Sequence, residues 1–218
     1  MNNSPSAARR ILHVAASSRP GSKSRETADM LLAACRQGPA PAAVDELDLW
    51  AIDLPDMRDE VINAKYAVLA RTPHEERQAQ AWARVRAQIE RFLAYDGYVF
   101  SVPMWNLGIP YRLKHYIDVI TQPGLTFSWT PEKGYQGLVH ERRAVVIYAS
   151  PFDYAGESPL RPLDQQKRYM ETWLRFIGIE DARCIDCGPT HPAAPRMAQA
   201  QAEAARRAAA LAGWLSEP

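Results

Sequence analysis

Apolar residues along this chain follow two different spacings. Short continuous apolar runs occur at "ILHVAA" (11–16), "GYVFSVP" (97–103) and "RRAVVIYAS" (142–150). Runs this short, ended by serine or proline, predict strands buried on both faces. "AVDELDL" (43–49) alternates apolar with acidic residues and predicts a strand nearer an edge; "DARCIDCG" (181–188) gives a fifth. Segments with helical spacing lie between them. "SRETADMLLAACR" (24–36) repeats at Ala28, Leu31, Leu32 and Cys35, with Ser24 in the N-cap role. "PHEERQAQAWARVRAQIERFLAY" (73–95) is a long amphipathic helix with Pro73 near its start and acids in its first turn. "PYRLKHYIDVIT" (110–121) places Pro110 at the first helical position, and "DQQKRYMETWLRFIGI" (164–179) stops at Gly178. An Ala-rich helix, "RMAQAQAEAARRAAALAGWL" (196–215), closes the chain.

Strand and helix alternate throughout, so the pattern predicts one α/β domain over 1–218 with a five-stranded parallel sheet covered by helices on both faces. Right-handed crossovers favour the strand order 2-1-3-4-5. In such a sheet, ligands sit beyond the carboxyl ends of the strands, where the chain switches direction between the first and third strands. That rule brings the loops 17–24 and 103–110 side by side.

Composition narrows the partners. The 218 residues are 47% apolar and 23% charged, with a net charge of +1. A near-neutral chain has no electrostatic footprint for nucleic acid. No apolar run approaches the roughly 20 residues a membrane span needs. The start, "MNNSPSAARRILHVAASS", sets a basic pair before six apolar residues, fewer than the roughly 7–15 of a secretory leader. The expectation is a cytoplasmic protein. Cys35, Cys184 and Cys187 are then free thiols in a reducing compartment. Cys184 and Cys187 form a C-x-x-C with His191 following. No fourth metal ligand accompanies them, and a redox motif would open a helix, not a strand. They are expected to be structural thiols, with no metal.

Candidate chemistry concentrates in the two loops. "SSRPGSKSRE" holds Ser17, Ser18, Ser22 and Ser24 around Gly21 and runs into a helix. Helix N-termini attract anions, and hydroxyls add donors around a terminal monophosphate. The G-x-G-x-x-G and G-x-x-x-x-G-K-[ST] phosphate motifs are absent. The same residues also read as an ordinary serine-rich loop. The second loop, "PMWNLGIP" (103–110), combines Met104 and Trp105 with Asn106 and Leu107 between two stiffening prolines. Apolar faces plus an amide suit a flat heteroaromatic ring, although a lone Met-Trp pair also reads as a hydrophobic plug. His13 reads as a buried strand histidine, His115 as structural and Lys114 as solvated.

Together, "PMWNLGIPYRLKHYID" and "GLTFSWTPEKGYQGLV" resemble two segments of the FMN-dependent NADH-azoreductases, in the flavodoxin-like quinone reductase superfamily. The resemblance runs from the first strand to the last helix. It implies a flavodoxin-like three-layer sandwich and FMN bound at the carboxyl edge of the sheet. The phosphate would lie at Ser18, Ser22, Lys23 and Ser24, and the isoalloxazine on Met104, Trp105, Asn106 and Leu107. A third contact would come from Ala149, Ser150, Pro151 and Phe152. That last segment departs from the family pattern: "ASPFDYAG" stands where the family has S-R-G-G. Two glycines are replaced, and proline removes an N–H donor.

The resemblance implies an NAD(P)H oxidoreductase that passes two electrons to quinones or azo compounds in ping-pong fashion, with the flavin doing the chemistry and no catalytic side chain. NADH or NADPH would be the reductant. It also implies a homodimer in which Trp129 lines the acceptor pocket. Trp50, Trp82, Phe127 and Tyr135 are further material for the dimer wall. The alternatives are a narrow-substrate biosynthetic flavin reductase and a non-catalytic electron carrier. Carriers are typically acidic for docking, which this chain is not.

Overall fold

The computed structural model describes residues 8–217; residues 1–7, where the segment weighed as a leader begins, and Pro218 lie outside them. The element order is β1 (Arg10–Ala15), α1 (Lys23–Gln37), β2 (Ala43–Asp48), α2 (Asp59–Ala70), α3 (Glu76–Leu93), β3 (Gly97–Pro103), α4 (Tyr111–Ile120), β4 (Phe127–Thr130), β5 (Gly134–Gly137), β6 (Arg143–Ala149), α5 (Gln165–Ile177), β7 (Asp181–Asp186) and α6 (Met197–Ser216). Five strands form a parallel sheet in the order β2-β1-β3-β6-β7, which is the expected 2-1-3-4-5 once the β4–β5 hairpin is set aside.

Alternation along the strands builds the three layers. Leu12, Val14, Tyr98, Phe100, Val146 and Tyr148 face a core shared with α3, α4 and α5. Ile11, Val99, Val145, Ile147 and Ile185 face the opposite core, shared with α1 and α6. Both faces are covered, so β1, β3 and β6 read as continuous apolar runs. In the first core, Phe92 stacks on Tyr98 at 4.3 Å, and Phe100 meets Trp173 edge-on at 5.7 Å. Each such buried ring contributes roughly 1.5–3 kcal/mol through area removed from water.

Several local expectations shift. Ser22, not Ser24, is the N-cap of α1; Ser24 lies inside the helix and is fully buried. Gly21, at φ +68°, makes the left-handed turn that starts the helix two residues early. Pro110 is the N-cap of α4 and Tyr111 the first helical residue. The long helix α3 begins at Glu76, where Glu75 and Gln78 form a capping box. Gly178 ends α5 at φ +101° in the left-handed conformation, as expected. Trp82 is 5% exposed in the core, so it is not available to a dimer wall. The helix α2 went unpredicted. Val61 and Ala64 are its buried positions, while Tyr66 and Leu69 point outward, so no clean apolar stripe marks it.

Candidate active site

The site begins with strand register. Ala15 pairs with Ser101 and Pro103 with Ala149, so β1, β3 and β6 end close together. Cross-strand bonds carry the order past the sheet: the Ala16 N–H donates to the Ser101 carbonyl (3.1 Å), and the Met104 N–H donates to the Ala149 carbonyl (2.7 Å). All three loops expected from the sequence therefore open from one edge.

The loop after β1 is hydroxyl-lined and tucked in. Ser22 and Ser24 are buried, with their Oγ atoms 3.1 Å apart. No side chain caps α1. The first-turn N–H groups thus keep free valence toward an anion, reinforced by the helix dipole. Ser18 is exposed, and Lys23 is held by Glu26 at 2.7 Å. The exposed Ser18 hydroxyl and the uncapped first-turn N–H groups suit a monophosphate, while the Ser22 and Ser24 hydroxyls pair with each other beneath them.

Beneath this loop, His13 on β1 is buried; its Nε2 lies 3.0 Å from Ser101 Oγ and its Nδ1 3.5 Å from Glu46. Burial outweighs the Glu46 carboxylate and pushes the ring down to about 4. His13 is thus the neutral, hydrogen-bonded strand histidine expected from the sequence.

The loop after β3 is a tight turn. The N–H of Trp105 donates to the Gly108 carbonyl at 2.9 Å, and the reverse bond is 3.0 Å. Asn106 and Leu107 sit at φ +46° and +71° between them. Two left-handed central residues reverse the chain tightly, a position asparagine tolerates and leucine resists. Two braces from α5 hold the strain: Gln165 N–H donates to the Leu107 carbonyl (3.0 Å), and the buried Gln166 amide donates to the Val102 carbonyl (2.9 Å). Trp105 and Asn106 are left facing outward.

The loop after β2 completes this side. Trp50 donates its indole N–H to the Ala16 carbonyl at 3.0 Å, tying this loop to the one after β1. Its ring lies 5.7 Å from Trp105 and 5.5 Å from Tyr111. Arg112 fastens the same loop through the carbonyls of Leu49 (2.6 Å) and Ile52. Tyr111, Arg112, Gln165 and Gln166 border or brace the candidate site and were missed by sequence reasoning, and Trp50, expected only as dimer-wall material, lies beside the turn after β3. The available signal was positional: Trp50 directly follows an edge strand, and Gln165 and Gln166 open a helix. A hollow of about 660 Å³ is lined by Trp105 and Asn106 together with Met57, His115 and Tyr169. His115 bonds the Pro55 carbonyl at 3.0 Å and Lys114 pairs with Asp118, in keeping with their structural and solvated readings.

The loop after β6 differs from both. Ser150 donates its hydroxyl to the Phe152 carbonyl (2.8 Å), closing a turn that leaves Pro151 and Phe152 exposed. Phe152 stacks on His191 with ring centroids 6.0 Å apart and 19° between planes. Backbone bonds lock this loop to the one after β7: Thr190 N–H to the Ser150 carbonyl (2.9 Å) and His191 N–H to the Pro151 carbonyl (3.1 Å). Gly188 permits that approach, since a Cβ there would lie 2.3 Å from Ser150 Oγ.

Two remaining groups fall elsewhere. Cys184 is half-buried and Cys187 buried; the Cys187 thiol donates to Thr27 Oγ1 (3.1 Å), and burial pushes it up to about 11. Trp129 is 57% exposed on the β4–β5 hairpin. That hairpin packs on α5 through Phe127 against Phe176 (5.0 Å), and β5 runs on into the Val139 N–H bond to the Ile177 carbonyl (2.8 Å). Among the described residues, no hydrogen bond or aromatic pair joins Trp129 to the three loops.

Residues 9–211 match a family described as having a flavodoxin-like fold. The chain is 40% identical over 215 residues to FMN-dependent NADH:quinone oxidoreductase 3 of Pseudomonas fluorescens, covering 95% of this chain and 97% of that one. It is 46% identical over 147 residues to the FMN-dependent NADH:quinone oxidoreductase of Desulfotalea psychrophila, covering 67% and 69%. Among solved structures, an azoreductase from Bacillus anthracis superposes with a TM-score of 0.85 at 26% identity, covering 94% of this chain and 99% of that one. The chain therefore belongs to the flavodoxin-like family, among relatives named FMN-dependent NADH:quinone oxidoreductases.

Proposed function

We propose that this chain is an FMN-dependent NADH:quinone oxidoreductase that also reduces azo compounds, its residues 1–218 acting as one domain. The carrying observation is the convergence of three loops at one sheet edge: a buried hydroxyl pair at an uncapped helix N-terminus, an outward tryptophan–asparagine turn, and a serine-closed turn. The relatives' names supply the cofactor and the reductant.

Ser18, Ser22, Lys23 and Ser24, with the first N–H groups of α1, hold the phosphate. Met104, Trp105, Asn106 and Leu107 carry the ring. Ala149, Ser150, Pro151 and Phe152 flank it from the next strand. When bound, FMN supplies two-electron transfer, from the nicotinamide hydride to an acceptor that takes up protons from water. The chain's own part is to hold the ring rigidly and leave one face open to two planar partners in turn. No side chain of the three loops is required as acid or base.

The exposed Trp129 and Tyr135 on the hairpin, 57% and 64% exposed, support a homodimer in which Trp129 reaches the partner's acceptor pocket. No described helix is long and apolar enough to cross a membrane, in keeping with a cytoplasmic location.

The test is direct. Purified protein should be yellow and release FMN on acid treatment. Reduction by NADH should be followed by reoxidation with a quinone, giving parallel double-reciprocal lines. Released FAD, or no flavin uptake on reconstitution, would overturn the reading. Sedimentation of an active monomer at micromolar concentration would overturn the dimer alone.

A further inference from the structure

A second concavity lies farther along the same sheet edge. It measures about 580 Å³ and is bounded by the turn after β6 and the segment 189–196 after β7. Its walls are mainly apolar, from Phe152, Pro159, Leu160, Pro189 and Ala194. The stacked rings of Phe152 and His191 form one side. The two backbone bonds from Thr190 and His191 to the turn after β6 fix the walls relative to each other, so the groove is formed before any ligand arrives.

Charge decides what fits. Arg196 is the cation of the groove, and it is already paired with Asp153 at 2.7 Å and faces Glu203 at 3.9 Å. A diphosphate entering here would meet two carboxylates and a guanidinium that is already engaged. A dinucleotide is therefore disfavoured, whereas a neutral fused-ring molecule would lose no charge hydration and would gain apolar and stacking contact.

We infer that this groove is the acceptor-selecting subsite of the enzyme, and that the Phe152–His191 pair and the Ala194 wall set a preference for neutral bicyclic quinones over single-ring ones. The inference rests on the function proposed above. Phe152 belongs both to the turn flanking the flavin site and to the groove, so an acceptor seated here lies beside the ring site. Both partners still use the one open face of the ring in turn; the groove adds a wall beside it that serves the acceptor and not the reductant.

The experiment uses the oxidised holoprotein, which does not react with a quinone. Adding 1,4-naphthoquinone should shift backbone amide resonances centred on 152–160 and 189–196. Two variants then enter stopped-flow analysis of the separate half-reactions: His191→Ala, which removes the stack, and Ala194→Trp, which fills the groove. For reoxidation by 1,4-naphthoquinone, His191→Ala should raise the apparent Kd about fivefold and Ala194→Trp more than tenfold. Reoxidation by 1,4-benzoquinone should change less than twofold in His191→Ala, and flavin reduction by NADH less than twofold in both variants. Amide shifts elsewhere, unchanged naphthoquinone constants, or an equal loss in the NADH half-reaction would overturn the inference. Protein that takes up no flavin, or a flavin that NADH does not reduce, would overturn the function and the groove's role with it.

Discussion

The loop after β1 and the paired loops after β6 and β7 occupy the same edge of one sheet, yet they are built on opposite terms. The first is local and polar: Ser22 and Ser24 lie two residues apart, both buried, at the start of one helix. The second is non-local and apolar: Phe152 and His191 come from different loops, and their stacked pair is open to solvent. Under the proposed function, the phosphate is the same in every cycle and fixed donors at a helix N-terminus would serve it, whereas an acceptor enters and leaves at each turnover and would meet contacts at the surface that cost little to desolvate. The division predicts that changes in the first region alter cofactor retention, and changes in the second alter acceptor choice.

The most severe way to break the first region is Ser22→Asp. A carboxylate would then stand beside the phosphate. Like charges juxtaposed in such a site cost several kcal/mol, so FMN affinity should fall on the order of 100-fold or more. Fluorescence titration of apoprotein with FMN checks this, and retained affinity would mean the phosphate lies elsewhere.

Acid should also act on the first region, through His13. The folded ring titrates at about 4 against an ordinary value of 6.5, because burial disfavours its charge. Neutral His13 contributes its full stability above pH 6.5. As pH falls from there toward 4, the unfolded chain binds a proton that the folded chain refuses, and up to about 3 kcal/mol is lost. Denaturant midpoints between pH 7 and 4 should therefore fall more steeply for the wild type than for His13→Gln. Parallel curves would remove His13 as the cause.

The second region is probed by Gly188→Ala. The added methyl would meet Ser150 Oγ at 2.3 Å and push the loops after β6 and β7 apart. Overpacking of this kind costs about 2 kcal/mol, or roughly 4–8 °C in Tm for a chain of this size. The acceptor KM should rise by more than FMN affinity falls, because the turn that flanks the ring moves while the loop after β1 does not. An equal or larger loss of FMN affinity would show that the two regions are not independent.

The smallest effect is expected at the turn after β3. Leu107→Gly relieves a leucine at φ +71°, and should raise stability by up to about 1 kcal/mol, the lost left-handed penalty being partly offset by greater freedom of the unfolded chain. A lowered Tm would mean that the side chain is held by packing worth more than the strain.

The sequence carried the three central strands, because burial on both faces leaves unbroken apolar runs, and it carried the edge strand β2 through its apolar–acidic alternation. It carried the long helices α3, α5 and α6 because each buries one face and so repeats its apolar residues at helical spacing, with Gly178 as a stop. It lost α2, whose outward Tyr66 and Leu69 blur the stripe. It placed the N-cap of α1 at Ser24 because a hydroxyl before an apolar repeat is the usual signal, whereas the left-handed Gly21 starts the helix earlier. It counted Trp82 among surface aromatics, although that ring is in the core.

The site divides along the same line. Short-range placement was legible: the serine loop and the Met-Trp-Asn-Leu turn each sit within a few residues, and the strand order alone brings them to one edge. Only the tertiary structure decided the rest. Trp50 reaches Trp105 because the loop after an edge strand folds over two central strands, and Phe152 meets His191 because Gly188 lets two backbones approach. Periodicity records which face of an element is buried. It holds no information about which distant loops share a wall, since that depends on register, crossover and side-chain volume at contacts far apart in the chain.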